Sequence, residues 1–309
     1  MIVTVTPNTA LDHTLFIPAL TPNTTIRATH SLMSVAGKAT DTAWVLCELG
    51  LPSIALGFAA GRLGEQMDTM LRQKGVATDF VWVGGETRLN TVIVCADGSA
   101  QTTITVDTME VNETQVDELR RHYRIALEKA TCATLSGSAP KGVPATLYAD
   151  LIEEAHRQKV PVILDSSGVY LKSGFDSRPT LIKPNREELE HLYGKPCPTP
   201  ESVLNAAQEL LARTGTLIVV TLGADGAIAV LPGRAYRIPA LQVKMVSPAG
   251  AGDAVVAGLA AALGRRAPLE EGLRLAFAAA GAAVMMPGTA DIRKQDVEAL
   301  LPQVELIPL

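Results

Sequence analysis

The run Ser247-Pro248-Ala249-Gly250-Ala251-Gly252-Asp253 leads straight into the apolar, alanine-rich segment Ala254 to Gly258. Its composition is that of an anion site with a carboxylate attached. Gly250 and Gly252 permit positive φ and let backbone N–H groups approach a ligand that a Cβ would hold off. A helix starting there adds unpaired N–H groups and the positive end of its dipole, both suited to phosphate. Asp253 is the member that phosphate would repel, so its chemistry is that of a base for an attacking hydroxyl. The alternative is an acidic residue that only complements the dipole in a first helical turn.

Four further polar clusters follow strand-like apolar runs: Ser136-Gly137-Ser138, Asp165-Ser166-Ser167-Gly168, Lys183-Pro184-Asn185 and Leu222-Gly223-Ala224-Asp225-Gly226. In a parallel sheet covered by helices on both faces, ligands bind at the carboxyl ends of the strands. Successive clusters at such ends therefore point to one site. Asp165 is expected to cap the segment after it rather than to touch a ligand. The four cysteines and five histidines lack metal-ligand spacing, and the scattered cysteines fit reduced thiols in a cytosol.

The elements that position these clusters are legible from pattern. Ile2 to Val5 reads as a buried strand, with no basic segment of a signal peptide before it. His13 to Ile17 and Thr25 to Val35 read as strands of a separate, more polar sheet. Leu89 to Cys95 and Thr102 to Val106, flanking the turn Ala96-Asp97-Gly98-Ser99, would complete that sheet as a lid. Between and after them, helices alternate with strands: Ala39 to Leu49, Ile54 to Phe58, Glu65 to Lys74, Phe80 to Val83, and a helix opened by a capping box at Asn112 and Gln115. The alternation continues to Leu217–Leu222. The expected fold is a single α/β domain of three α/β/α layers with a mostly parallel central sheet, carrying lid strands at about 12–35 and 88–106.

Composition narrows the partners. The chain has 309 residues, 47% hydrophobic and 19% charged, with a net charge of −5. No basic excess exists to neutralise a nucleic-acid backbone, so an anionic substrate requires a local basic cluster. The longest apolar runs, Ala254 to Leu263 and Leu275 to Met286, fall short of the ~18 residues of a membrane span. A cytoplasmic protein bound to neither membrane nor nucleic acid is expected.

In order along the chain, Asn8-Thr9-Ala10-Leu11-Asp12, Gly37-Lys38, Gly85-Glu86-Thr87-Arg88-Leu89-Asn90, Ser136-Gly137-Ser138, Lys183-Pro184-Asn185-Arg186-Glu187-Glu188, Thr221-Leu222-Gly223-Ala224-Asp225-Gly226 and Gly250-Ala251-Gly252-Asp253 resemble the PfkB (ribokinase-like) carbohydrate kinases. The likeness covers essentially the whole chain, on the branch that phosphorylates sugar phosphates. It implies ATP and Mg²⁺ and transfer of the γ-phosphoryl group to a sugar hydroxyl. By resemblance, Asp253 is the base, and the N–H groups of Ala249, Gly250, Ala251 and Gly252 hold the developing charge. Asn185 and Glu188 match a pair that organises Mg²⁺ through water. Lys183, Asn185, Thr221, Gly223 and Gly226 fall on the nucleotide side. Asp12, Gly37, Asp41 and Asn90 fall on the sugar side, where Arg27, Lys38, Arg88 and Ser138 match donors to a substrate phosphate. Ala278 to Gly281 is expected to serve close helix packing with some adenine contact. A homodimer through the lid would cover its exposed strand edges.

The likeness breaks at Ala36-Gly37-Lys38-Ala39-Thr40-Asp41, where Asp41 replaces a neutral amide, removing two donors and adding a charge. Pro248 removes a backbone donor next to the anion turn. The favoured substrate is a ketohexose phosphate, for an enzyme of 1-phosphofructokinase, 6-phosphofructokinase or tagatose-6-phosphate kinase type. The alternatives are a kinase of an unphosphorylated sugar or nucleoside and a kinase fold retained for regulatory binding.

Overall fold

The structure is a computed structural model that describes residues 1–96 and 101–309. The expected turn at Asp97-Gly98-Ser99 lies outside the described residues. The chain opens with β1 (Ile2–Asn8), β2 (Ala10–Ile17), β3 (His30–Ala36), α1 (Lys38–Glu48), β4 (Ser53–Ala59), α2 (Gly61–Lys74) and β5 (Ala77–Trp82). It continues through β6 (Gly84–Gly85), β7 (Arg88–Cys95), β8 (Gln101–Ile104), β9 (Met109–Glu110), α3 (Glu113–Leu127), β10 (Cys132–Ser136), α4 (Leu147–Arg157) and β11 (Val162–Asp165). Then come α5 (Gly168–Asp176), β12 (Leu181–Ile182), α6 (Arg186–Tyr193), α7 (Pro200–Thr214), β13 (Leu217–Thr221), β14 (Ala227–Leu231) and β15 (Arg234–Ile238). Helices α8 (Ala251–Arg265), α9 (Leu269–Val284) and α10 (Lys294–Leu300) precede a last short strand, β16 (Ile307–Pro308).

Among the described residues the central sheet has the order β16-β15-β14-β13-β12-β11-β10-β1-β4-β5. It is parallel from β5 to β13 and antiparallel from β13 to β16. Its parallel strands are apolar on both sides because helices cover both faces. Residues of α3 to α7 pack on one face and those of α1, α8, α9 and α10 on the other. The antiparallel edge and α5 go beyond the expected elements. Each follows a short connection, Ser166-Ser167 before α5 and Leu222 to Gly226 before β14.

The lid is a four-stranded sheet, β3-β2-β7-β8, with β2 and β7 parallel. Only His30–Ala36 of the expected Thr25–Val35 strand is extended; the preceding residues form an open loop. Strand β1 runs past Pro7 with a register irregularity between Thr6 and Asn8, and β2 starts two residues later. The chain thus leaves the large sheet for the lid at Thr9, whose Oγ1 donates to the Phe58 carbonyl at 2.5 Å. That buried bond ties the start of the lid to the body.

Helices α8 and α9 approach closely enough that glycine is required at their crossing. A Cβ on Gly258 would overlap the backbone of Ala276, and one on Gly272 would overlap the Ala262 methyl. Ala278 is fully buried and a Cβ on Gly281 would crowd Leu241 and Leu300, so this stretch serves packing. Gly258→Ala should cost about 2 kcal/mol through overpacking, read as a lower urea midpoint with an unchanged m-value.

Candidate active site

The carboxyl ends of β10, β11, β12 and β13 lie side by side and carry the polar clusters. The Gly137 N–H donates to the Asp165 carbonyl at 2.9 Å and the Ser166 hydroxyl to the Gly137 carbonyl at 2.8 Å. The Lys183 N–H reaches the Leu164 carbonyl at 3.2 Å, and the Thr221 N–H the Pro184 carbonyl at 3.0 Å. These backbone bonds align the four clusters along one rim.

Asp165 is at the centre of that rim and does not cap a helix, contrary to the sequence expectation. Its Oδ1 accepts from Lys38 Nζ at 3.0 Å and faces Lys183 Nζ at 3.3 Å. The side chains of Asp165 and Lys183 are 1% and 5% exposed, so the pair is shielded from water. Burial pushes the Asp165 carboxyl upward, but Lys183 and Lys38 outweigh it and hold the group below its ordinary value. For Lys38, burial works against the charge, while Asp165, Asp253 and Glu188 hold the ammonium well above its usual range.

The glycine turn is built as its composition suggested. Gly250 has φ 80° and caps α8, and a Cβ there would overlap the backbone of Ala290. Of the four N–H groups expected to face an anion, Ala249 donates to Ser247 Oγ at 3.2 Å and Ala251 makes a long 3.5 Å bond to the Pro248 carbonyl. Among the described residues, the Gly250 and Gly252 N–H groups have no such partner. The donor that Pro248 lacks is therefore missing from a turn that keeps two others free.

Asp253, in the first turn of α8, is 9% exposed. Its backbone carbonyl accepts from Thr42 Oγ1 at 3.3 Å, which fastens α8 to α1. Burial raises its carboxyl pKa to about 7; Lys38 and Lys183 pull it down while Asp165 and Asp12 push it up. Asp41 is buried beside it in the first turn of α1, close enough to Asp253 and Asp12 for their charges to repel its own. Gly37, at φ 109°, brings the start of α1 close to Thr6.

Across from this turn, the lid supplies Asp12. Its two oxygens accept from Asn90 Nδ2 at 2.8 Å and Thr289 Oγ1 at 2.6 Å. Asp12 and Asn90 are register partners of the parallel pair β2 and β7, which explains their contact. Thr289 is a member of the site that the motifs did not mark.

Arg88 donates to Thr105 Oγ1 at 3.1 Å and to the Asn8 carbonyl at 3.4 Å, and its buried Nε has no partner among the described residues. Burial presses its guanidinium downward, opposed by Asp107 and Asp12. Asn8 Nδ2 in turn reaches Ser138 Oγ and Asp107 Oδ1, both at 3.3 Å. Gly137 lies against Lys38. The structure therefore brings Arg88 and Ser138 together around Asn8, with Lys38 against the adjacent Gly137. It does not bring in Arg27, which is exposed on the open loop between β2 and β3.

Asn185 and Glu188 form the capping box of α6: Asn185 Oδ1 accepts the Glu188 N–H and Glu188 Oε2 accepts the Asn185 N–H, both at 2.8 Å. The pair is thus structural, with the second Glu188 oxygen left over. Oxygen donors of this kind suit a magnesium ion that retains much of its water, and among the described residues no group of three or more His, Cys, Asp or Glu side chains is placed to hold a metal directly. Gly223 faces open space, whereas Gly226 is buried and a Cβ there would overlap the Ile238 carbonyl. Gly226 therefore shapes the loop that holds Gly223 and Thr221.

A parallel sheet between helix layers, a small β lid and a glycine turn with a buried aspartate define the ribokinase-like kinase fold. The chain belongs to the pfkB family of carbohydrate kinases, whose match spans residues 6–295. A phosphofructokinase-2 from Escherichia coli in complex with fructose-6-phosphate is similar at 27% identity and TM-score 0.88, covering 98% of each chain. A possible 1-phosphofructokinase from Thermotoga maritima matches at 26% identity and TM-score 0.92, over 100% of this chain and 99% of that one. The tetrameric inhibited form of phosphofructokinase-2 from Escherichia coli matches at 28% identity and TM-score 0.87, over 98% of each. The protein is a carbohydrate kinase, of a family that uses ATP, generally with a divalent metal. Among the described residues, no helix is long and apolar enough to cross a membrane.

Asp165→Asn leaves two ammonium groups facing a neutral amide and should cost about 3 kcal/mol at pH 7. Because the folded-state value of Asp165 lies below the ordinary 3.8, its contribution is present above that pH and is lost as pH falls through the lower value. Urea titrations at pH 7 and pH 3 should show the gap between wild type and variant narrowing in acid.

Proposed function

We propose that this kinase transfers the γ-phosphoryl group of ATP to a hydroxyl of a ketohexose phosphate, as a 1-phosphofructokinase, 6-phosphofructokinase or tagatose-6-phosphate kinase does. The observation that carries the proposal is the buried Asp253 beside two free N–H groups of the α8 turn, with Lys38, Arg88 and Ser138 gathered on the same pocket. The substrate complex of the similar phosphofructokinase-2 points the same way.

Asp253 accepts the proton of the attacking hydroxyl. A carboxylate with a value of about 7 is half ionised at neutral pH and a stronger base than an exposed aspartate. The Gly250 and Gly252 N–H groups face the moving phosphoryl group, whose charge they stabilise without having to reorganise. Asp12, held by Asn90 and Thr289, accepts from sugar hydroxyls. Arg88, with Nε free, and Ser138 bind the phosphate already on the substrate.

Lys183 lies under the turn, with its Nζ 3.5 Å from where a Gly252 Cβ would be, and reaches a nucleotide phosphate there. Thr221 and Gly223 line the nucleotide side. Asn185 and Glu188 would hold Mg²⁺ through water, and the ion would supply positive charge for the transferred phosphate. A homodimer through the lid is supported by its open edge strands β3 and β8 and by Ile104, 57% exposed. Asp41 favours a second reading, a kinase of an unphosphorylated sugar, since a third carboxyl beside Asp12 and Asp253 disfavours an anion if it ionises.

A coupled ADP assay should show turnover dependent on a ketohexose phosphate, with fructose itself at least about 100-fold poorer in kcat/KM, the scale of a lost charged anchor. Comparable turnover of fructose and fructose 1-phosphate would select the second reading. Asp253→Ala should lower kcat by about 10²- to 10⁴-fold, and equal turnover in that variant would reject the role of Asp253 as base. In the wild type, kcat/KM should fall as pH drops below about 7, because Asp253 must be ionised to act. A flat profile from pH 5 to 8 would contradict this.

A further inference from the structure

Asp41 is 3% exposed, and no lysine or arginine comes within ion-pair distance of it among the described residues. The groups around it explain why that matters. Helix α8 presents Asp253 to it and the lid strand β2 presents Asp12. On its own helix, Lys38 is drawn away to Asp165, as is Lys183 from the end of β12.

The other elements packed on α1 supply no countercharge. Strands β1 and β4 contain no ionisable side chain, and β10 offers only Cys132, whose buried thiol is raised to about 12. The exposed His30 stands at the far end of β3, stacked on Phe16. From α2, Lys74 pairs with Glu48 at the opposite end of α1, Arg72 pairs with Asp68, and Arg62 and Glu65 are exposed.

Two carboxyls this close in a dry pocket cannot both ionise easily. The start of α1 favours the charged form of Asp41, and so does the Gly37 backbone, but burial and then Asp253 and Asp12 act the other way and prevail. A neutral carboxylic acid has an O–H donor as well as acceptor capacity, whereas a carboxylate can only accept. At this position the chain departs from a neutral amide, and a protonated carboxyl restores the donor that the departure removes.

We propose that Asp41 is a specificity-determining residue that stays a neutral carboxylic acid and donates its O–H to an acceptor-sugar oxygen, leaving Asp253 as the ionised base. This rests on the reading of the pocket as the acceptor site. Asp41 and Asp253 thereby divide one proton between two tasks, recognition and catalysis.

The test compares Asp41→Ala, Asp41→Asn and wild type with fructose 6-phosphate, fructose 1-phosphate and tagatose 6-phosphate, using whichever gives the highest kcat/KM. Asp41→Ala should raise the acceptor KM at least about tenfold, and Asp41→Asn should restore it to within about threefold of wild type. Wild-type KM should climb at alkaline pH as Asp41 ionises, and this climb should be absent in Asp41→Asn. The acid limb of kcat/KM should keep its midpoint in Asp41→Asn, since removing a neutral neighbour leaves Asp253 unchanged. A midpoint displaced about one pH unit downward would mean that Asp41 is charged and would overturn the proposal. So would an unchanged KM in Asp41→Ala. Carboxyl ¹³C NMR of the free protein, comparing wild type with Asp41→Asn, should show one protonated aspartate at pH 7 that the variant lacks. That readout stands even if none of the three sugars is phosphorylated. In that case the proposed function fails, and the protonation of Asp41 is still decided.

Discussion

Two lysines on one buried carboxylate hold the site together. Lys38 begins α1 and Lys183 follows β12, so their shared contact with Asp165 at the end of β11 ties three separate elements to one point. The Lys183 ammonium would be costly to bury alone, and one aspartate offsets only one of the two lysines, the other of which is partly exposed. The surplus positive charge is then available to anions at the rim. The arrangement also fixes where the lysines point, because an ammonium on a flexible stem has little direction of its own.

That fixed rim depends on a body that does not yield. The α8 turn can present free N–H groups only if its helix starts in the same place each time. Its position follows from glycine-level contact with α9 and from the Thr42 bond to the Asp253 carbonyl. The lid is anchored differently, through Thr9 on Phe58 and the Asp12–Asn90–Thr289 hydrogen bonds. Body and lid thus meet at the carboxylates of Asp12 and Asp253. The candidate site is where two independently anchored units meet.

Much of this was legible in the sequence, for identifiable reasons. The glycine turn, the strand-end clusters and the capping box at Asn112 are local signals, set by backbone freedom and short-range hydrogen bonds, and they are found as expected. What escaped was long-range. Asp165 read as a cap because a carboxylate after a strand usually finds a nearby N–H; its lysines come from 127 residues before it and from the next strand. Thr289 carries no motif and reaches Asp12 only because the chain after α9 folds back on the lid. Conversely, Asn185 and Glu188 drew attention as a ligand pair while the same spacing satisfies a helix cap. The Thr25–Ala28 stretch carries β-branched residues but no strand partner among the described residues, pairing with β2 starting only at Thr29, and propensity without a partner does not make a sheet.

Asp41 illustrates the limit most clearly. As a sequence departure it counts as an added negative charge on the sugar side, and an anionic substrate would be the loser. Placed between Asp253 and Asp12, away from either lysine, it cannot keep that charge cheaply. With Asp41 neutral, as proposed, Lys38, Lys183 and Arg88 face Asp165, Asp12 and a half-ionised Asp253, so the pocket has no excess of negative charge before any substrate enters. With Asp41 ionised, the same pocket would gain a further negative charge against any phosphorylated substrate. Whether a substitution adds charge thus depends on its neighbours as much as on its side chain. On the proposed reading, the surrounding carboxylates let an aspartate act as a neutral amide would.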